Sequence, residues 1–224
     1  MIVLTAQTVS AALPEADVVV AVDDARVAEA VESAGFQSVM TARTWESGTD
    51  RVAEVARLCG WDDDDVIINV QGDEPLLPAD LLRVLGERAL KAKDFHMGTV
   101  CVPMLTVGEV LDPNVVKVVV REDGSAITFS RAPVPYARDG GLAGIDPAAY
   151  RRHVGVYLYR GHVLQMITAH EPVSIELIEQ LEQLRALWLG VSIDVVDWPT
   201  APPGSIDTPA DVEHLRRFLK TGRL

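Results

Sequence analysis

At 224 residues, 48% hydrophobic and only 5% aromatic, the chain carries enough Val, Leu, Ala and Ile for one α/β domain with a sizeable core, which excludes disorder. Its formal charge of −13 excludes nucleic acid and anionic membrane as partners, because both repel a strongly acidic surface. Anionic small molecules stay open, since they respond to the local field. No apolar run approaches the ~20 residues of a membrane span, and no signal-peptide pattern opens the chain, so a cytoplasmic protein is expected. Cys59 and Cys101 sit in apolar contexts without ligand or disulfide spacing and read as small core residues in a reducing compartment.

In chain order, residues 1–13 show near-helical spacing of Ile2, Val3, Ala6 and Val9, with no N-cap ahead of them. A buried strand over 17–22 follows, then a helix over 25–34 capped by Asp23 and Asp24 and ended by Gly35. Residues 37–40 form a short strand. Ser47 or Thr49 caps a helix to about Cys59, whose Ser47-Gly48-Thr49 turn leaves outward backbone N–H groups suited to a phosphate or a base carbonyl. Asp62 to Asp65 is a solvated acidic loop.

Val66 to Val70 then reads as a strand buried on both faces, ending in Gln71-Gly72-Asp73-Glu74-Pro75. Such a strand delivers a carboxylate to the edge where open α/β sheets bind ligands, and hard cations such as Mg²⁺ favour carboxylate oxygen. An ordinary acidic turn is the competing reading. A helix over 78–91 and a strand over 97–103 complete the alternating half, which predicts a parallel sheet wrapped on both faces.

The pattern then changes. Residues 115–120 and 126–130 flank Glu122-Asp123-Gly124, a hairpin signal, and 153–159 alternates as a further strand. An antiparallel portion around 115–160 is therefore expected, as a substrate wall or dimer contact. Arg131, Arg138, Arg151, Arg152, His153 and Arg160 form a basic island there, read either as a solvated face or as an anion site. Helices over 160–169 and 175–189, a strand over 192–196 and a closing helix from Pro209, with Val212, Leu215 and Leu219 on one face, end the chain. Asp207 before that helix is an ordinary N-cap on its own evidence.

The string Asn69 to Pro75 resembles the metal-binding motif of the 3-deoxy-manno-octulosonate cytidylyltransferases, the CMP-Kdo synthetases. Further landmarks fall in that family's order: Ser47 to Arg51, Phe129 to Ala132, His153 to Tyr159, Leu181 to Arg185, and Ile206 to Pro209. The resemblance runs from the opening helix to Leu215. It implies a single Rossmann-like nucleotide-diphospho-sugar transferase domain over 1–224, mostly parallel with an antiparallel extension. It implies transfer of CMP from CTP to the anomeric hydroxyl of Kdo, an acidic sugar, in a homodimer serving lipopolysaccharide-type synthesis. Asp73 and Asp207 become the catalytic, Mg²⁺-binding carboxylates. Ser47, Gly48, Arg51, Gln71 and Gly72 fall on the nucleotide side, with Gln71 also counted toward the sugar. Arg138, His153, Tyr157, Glu182 and Gln183 fall on the sugar-acid side.

The sequence departs from the pattern at Trp45, where the family has His, and at its start. The family's first central strand and its Pro-Ala-Arg triphosphate loop have no counterpart, since Met1-Ile2-Val3 matches the helix after that loop. The expectation is a chain begun at an internal methionine, with weak turnover for want of the loop's cations. A cytidylyltransferase for another acidic sugar and a non-catalytic binding homologue remain as alternatives.

Overall fold

A computed structural model describes residues 1–43, 48–92, 94–139, 141–206 and 208–221, with Leu142, Ala143 and Thr221 described by backbone alone. The chain groups into two compact units: residues 1–41, 70–84 and 202–224 form the first, residues 42–69 and 85–201 the second.

In the first unit, α1 (Ile2–Ala12) starts without a side-chain cap, and β1 (Val19–Val22) leads to α2 (Ala25–Ser33) and β2 (Gln37–Met40). The Asp24 carboxylate caps α2 by accepting from the Arg26 backbone N at 2.9 Å. Strands β1 and β2 pair in parallel, Val19 opposite Gln37 through Val22 opposite Met40. Ala6, Val20, Val22 and Val31 form a small core with Ile2, Val3 and Phe36 packed against it. The unit also carries the turn after residue 69, the start of α4 (Ala79–Lys91) and α9 (Pro209–Thr221). Among the described side chains of α9 only Leu215 is buried; Val212 is half-buried and Leu219 is exposed, so its inner face is narrower than the spacing implies.

The second unit is built on a six-stranded sheet of β3 (Val66–Asn69), β4 (Met97–Pro103), β5 (Lys117–Val120), β6 (Ala126–Ser130), β7 (Arg151–Arg160) and β8 (Ile193–Asp197). Its order is β6-β5-β7-β4-β8, and β3 pairs with the same long strand β7. Strands β4 and β8 are parallel, and β3 runs in their direction because both β3 and β4 are antiparallel to β7. The α/β class is as expected, with β7 inserted against the common direction. The β5–β6 hairpin turns at Gly124, whose φ of +86° needs glycine. Helices α3 (Gly48–Cys59) and α6 (Gly161–Thr168) cover this sheet's core, with Ala53, Ala56, Val163, Leu164 and Ile167 inward.

Strand β3 is not buried on both faces: only Ile67 is buried, while Val66, Ile68 and Asn69 are half-buried. The fully enclosed strand is β4, buried from Met97 to Val102. A short helix, α5 (Val107–Leu111), appears where no element is expected, closed by a Thr106–Glu109 capping box.

The helix expected over 175–189 is two helices, α7 (Ser174–Glu179) and α8 (Gln183–Trp188). They part at Gln180, whose φ of +52° is left-handed. That backbone costs a non-glycine residue ~1–2 kcal/mol, and Arg131 offsets it by donating to the carbonyls of Glu179 at 2.7 Å and Gln180 at 3.4 Å. The Glu179 carboxylate returns the tie, accepting from Ser130 Oγ and from the Arg131 backbone N. Below the break, Arg185 of α8 clasps Glu176 of α7 through two hydrogen bonds of 2.6 and 2.8 Å, with both side chains buried. Arg185 also donates to the carbonyls of Ile167 and His170, so its charge is well compensated.

Removing one partner of such a pair leaves an uncompensated buried charge. Glu176→Ala should lower unfolding free energy by ~3–5 kcal/mol in urea titrations. A loss under ~1 kcal/mol would show that the clasp does not hold the α7–α8 corner.

Candidate active site

In the first unit the motif turn is fixed from two sides. Thr5 Oγ1 donates to the Gly72 carbonyl and Thr8 Oγ1 to the Pro75 carbonyl, each at 2.9 Å. Helix α1 packs against the turn, where a Cβ on Gly72 would lie 2.6 Å from Ile2 Cδ1, the end of a flexible side chain. The Ile206 backbone N donates to the Asp73 carbonyl at 2.9 Å. The segment leading to Asp207 is thus tied to the Asp73 turn, although Asp207 itself lies outside the described residues, as do Ser47 and Trp45. Asp73 and Gly72 are half-buried and Gln71 is exposed. Among the described residues no cluster of three potential metal ligands occurs. One or two carboxylates completed by substrate phosphates is, however, the usual protein share of a Mg²⁺ site.

In the second unit a pocket of about 10 Å³, the room of one water, is lined by Thr49, Met97, Tyr157, Tyr159, Ile167, Glu182, Gln183 and Ala186. The break at Gln180 sets Glu182 and Gln183 at the start of α8, and the sheet supplies the tyrosines. Glu182 Oε2 accepts from both the backbone N and the hydroxyl of Thr49, so it caps α3 from outside that helix. Gln183 Nε2 is buried with no hydrogen-bond partner. A buried donor left open in this way costs ~1–3 kcal/mol and marks a place where a ligand acceptor can bind.

Tyr157 stacks on Tyr159 at 6.1 Å and lies 5.3 Å from the ring of His153, which meets Phe129 edge-on at 5.0 Å. Burial, the neighbouring Tyr159 and the Glu182 charge raise the Tyr157 hydroxyl well above its ordinary pKa, so it stays a donor at neutral pH. Burial, and then the Arg152 charge, push His153 down to about 3, so the imidazole stays neutral. His153 Nε2 lies 2.9 Å from Thr99 Oγ1.

The structure therefore gathers Tyr157, Glu182 and Gln183 around one pocket and sets His153 against Tyr157. Gly48 opens α3 and Arg51 lies half-buried in its first turn; neither lines the pocket. Arg138 is exposed on the loop before β7 and does not line it either. The basic island is not one surface. Arg131 is spent on backbone carbonyls, Arg151 on Asp197 and two carbonyls, and Arg160 on the carbonyls of Asp64 and Ala89. Sequence reasoning missed Thr99 and Tyr159 as site groups and saw Thr49 only as a helix cap. The hint was there: Thr99 is the lone hydroxyl in an apolar strand. Lys117 was also missed, fully buried with its Nζ on the carbonyls of Asp112 and Val115, where burial lowers its pKa.

The mixed α/β fold is that of the nucleotidyltransferases, as the family and structural matches show. Residues 1–193 match the cytidylyltransferase family, and the chain belongs to it. It is 48% identical over 212 residues to a 3-deoxy-manno-octulosonate cytidylyltransferase 2 of Burkholderia lata, covering 95% of this chain and 80% of that one. It is 44% identical over 207 residues to a 3-deoxy-manno-octulosonate cytidylyltransferase of Pseudomonas syringae pv. syringae, covering 91% and 82%. Among solved structures, a CMP:2-keto-3-deoxy-manno-octonic acid synthetase complexed with CTP superposes with a TM-score of 0.85 at 34% identity, over 98% of this chain and 88% of the other. A 4-diphosphocytidyl-2C-methyl-D-erythritol synthase shares the fold at 16% identity, with a TM-score of 0.61 over 96% and 88%. No helix among the described residues is long and apolar enough to cross a membrane.

Two outcomes follow from the pocket. Gln183→Leu removes the unpaired donor at similar volume and should leave stability unchanged or raise it by up to ~1 kcal/mol in urea titrations; a loss above ~2 kcal/mol would mean that the amide is structurally engaged. For His153, the unfolded chain takes a proton near pH 6.5 that the folded chain refuses until about 3. Stability is thus complete above about pH 6.5 and falls as pH drops towards 3, by at most ~1.4 kcal/mol per pH unit. His153→Asn should flatten that slope in unfolding curves between pH 6.5 and 4, and an unchanged slope would place its origin elsewhere.

Proposed function

We propose that the protein is a CMP-Kdo synthetase, joining CTP and 3-deoxy-manno-octulosonate to give CMP-Kdo and pyrophosphate. The observation that carries the reading is the open Gln183 amide donor beside Tyr157 and Glu182, in a chain of the cytidylyltransferase family. A sugar acid offers hydroxyls that both donate and accept. Gln183 Nε2 and the Tyr157 hydroxyl supply donors, and Glu182, with one oxygen held by Thr49, keeps the other as an acceptor. Arg138, exposed ahead of β7, is the cation assigned to the sugar carboxylate.

The anomeric oxygen forms a bond to the α-phosphorus of CTP, the bond to pyrophosphate breaks, and the hydroxyl proton departs to solvent. Such a transfer is governed by position and by neutralisation of negative oxygens. Asp73 and Asp207 are the carboxylates that would hold Mg²⁺, which supplies charge stabilisation when bound. The chain's own part is to orient the sugar hydroxyl and hold the Asp73 turn fixed through Thr5, Thr8 and Ile206. Gly48, Arg51, Gln71 and Gly72 fall to the nucleotide. Cytoplasmic location, a homodimer and supply to surface polysaccharide belong to the same reading.

With CTP, Kdo and Mg²⁺, the protein should release pyrophosphate and form CMP-Kdo, identified by mass. Asp73→Asn should lower turnover at least ~100-fold while the protein remains folded. A folded wild-type protein inactive on Kdo but active on another sugar acid would move the substrate assignment; one inactive on all would end the catalytic reading.

A further inference from the structure

The pairing of β4 with β7 breaks step at Thr99. As β4 passes from Gly98 to Val100, its partner on β7 jumps from Leu158 to Val154. Extra residues on one strand release ladder carbonyls and bend the chain, an arrangement common beside active sites. The Thr99 hydroxyl, buried on β4, fills this gap. It lies 2.9 Å from the Val156 carbonyl, 3.3 Å from the Val154 carbonyl and 2.9 Å from His153 Nε2.

Proton counting then fixes the ring. A threonine hydroxyl has one proton and two lone pairs, and a carbonyl can only accept. The proton goes to the nearer carbonyl, Val156. The contact with His153 Nε2 is therefore made by a lone pair of Oγ1, which must accept a proton from the ring. Nε2 carries hydrogen and Nδ1 carries a lone pair. Among the described residues no hydrogen bond reaches Nδ1, while the ring lies against Tyr157 of the pocket.

We propose that Thr99 is a positioning residue for the sugar-acid site: its hydroxyl holds His153 as the Nε2–H tautomer, making Nδ1 an acceptor for a substrate hydroxyl. The acceptor role rests on the sugar-acid reading above; the tautomer rests on the protein alone. A neutral ring with a bare Nδ1 lone pair repels a carboxylate, so His153 discriminates among hydroxyls and leaves the sugar's carboxylate to a cation. The low pKa of the half-buried ring keeps this arrangement intact throughout the neutral range.

The test is ring-nitrogen NMR of protein labelled in histidine, with His153 identified by its loss in His153→Gln. At neutral pH, Nε2 should appear protonated and Nδ1 bare, and adding Kdo should shift Nδ1. Thr99→Val should mix the two tautomers and raise the KM for Kdo about fivefold with that for CTP unchanged, while Thr99→Ser restores both. A wild-type ring protonated on Nδ1, or a Thr99→Val protein with an unaltered ring spectrum, overturns the proposal. Should Thr99→Val fail to fold, the wild-type spectrum and its response to Kdo decide. Kdo that binds by calorimetry without moving Nδ1 overturns the acceptor role. Absence of any Kdo binding instead refutes the sugar-acid reading and the acceptor role with it, with the tautomer still decided by the spectra without ligand.

Discussion

Strand β7 is hydrogen-bonded along both edges: β4 lies on one, and β5 and β3 share the other. Segments around residues 67 and 100 pair with it directly, and the segment around 118 joins it through Lys117 opposite Arg152. A strand with that many partners would be expected to be regular, yet it breaks step opposite Thr99, as the β5–β6 pair does between Val119 and Val120. The irregularity on β7 brings His153 and Tyr157 together. Residues four apart on a regular strand stand ~13 Å apart along its axis, whereas the rings of His153 and Tyr157 are 5.3 Å apart. The bend shortens that distance, and the Thr99 hydroxyl satisfies the carbonyl groups that the ladder gives up.

A second departure from regularity, at Gln180, supplies the opposite wall. Had α7 continued straight into α8, Glu182 and Gln183 would be interior helix positions. The left-handed turn makes them instead the start of a new helix, where Glu182 meets Thr49 and Gln183 enters the pocket. Arginines hold such corners. Arg131, from the group read in sequence as a solvated face or an anion site, secures the carbonyls at the turn, and Arg185, outside that group, secures α7 to α8. Charge serves shape here, and neutral hydrogen-bonding groups are left for recognition.

The two departures differ in how far the sequence shows them. The apolar spacing over 175–189 runs without glycine or proline, so periodicity alone continues the helix, whereas the alternation over 153–159 contains Gly155, a residue that can mark a bulge in a strand. What interrupts them is tertiary: a hydroxyl from β4 in one case, a guanidinium from beyond β6 in the other. Where the signal is local it was readable. Asp24 caps α2, and Gly124 turns the hairpin. The Thr106–Glu109 box was also local and was overlooked. The family resemblance drew Tyr157, Glu182 and Gln183 together before any geometry did, and all three line one pocket. It did not include Thr99, whose one mark in the sequence is to be the lone hydroxyl of an apolar strand.

The neighbours Gln183 and Arg185 show how the fold separates structure from function on one short helix. Both are buried. Arg185 has its charge matched by Glu176 and its remaining donors by carbonyls, the condition under which a buried ion is tolerated. Gln183 has a donor with nothing to meet. A fold selected for stability alone would fill that position with a leucine, since an apolar side chain of similar size carries no unmet hydrogen bond. Gln180 in its left-handed turn and His153 held neutral in the same unit are further costs of the same kind. Unmet groups and local strain persist where something outside the folded chain repays them. Their gathering around Tyr157 and α8, rather than along the well-paired remainder of the sheet, is what the proposed sugar-acid site would account for.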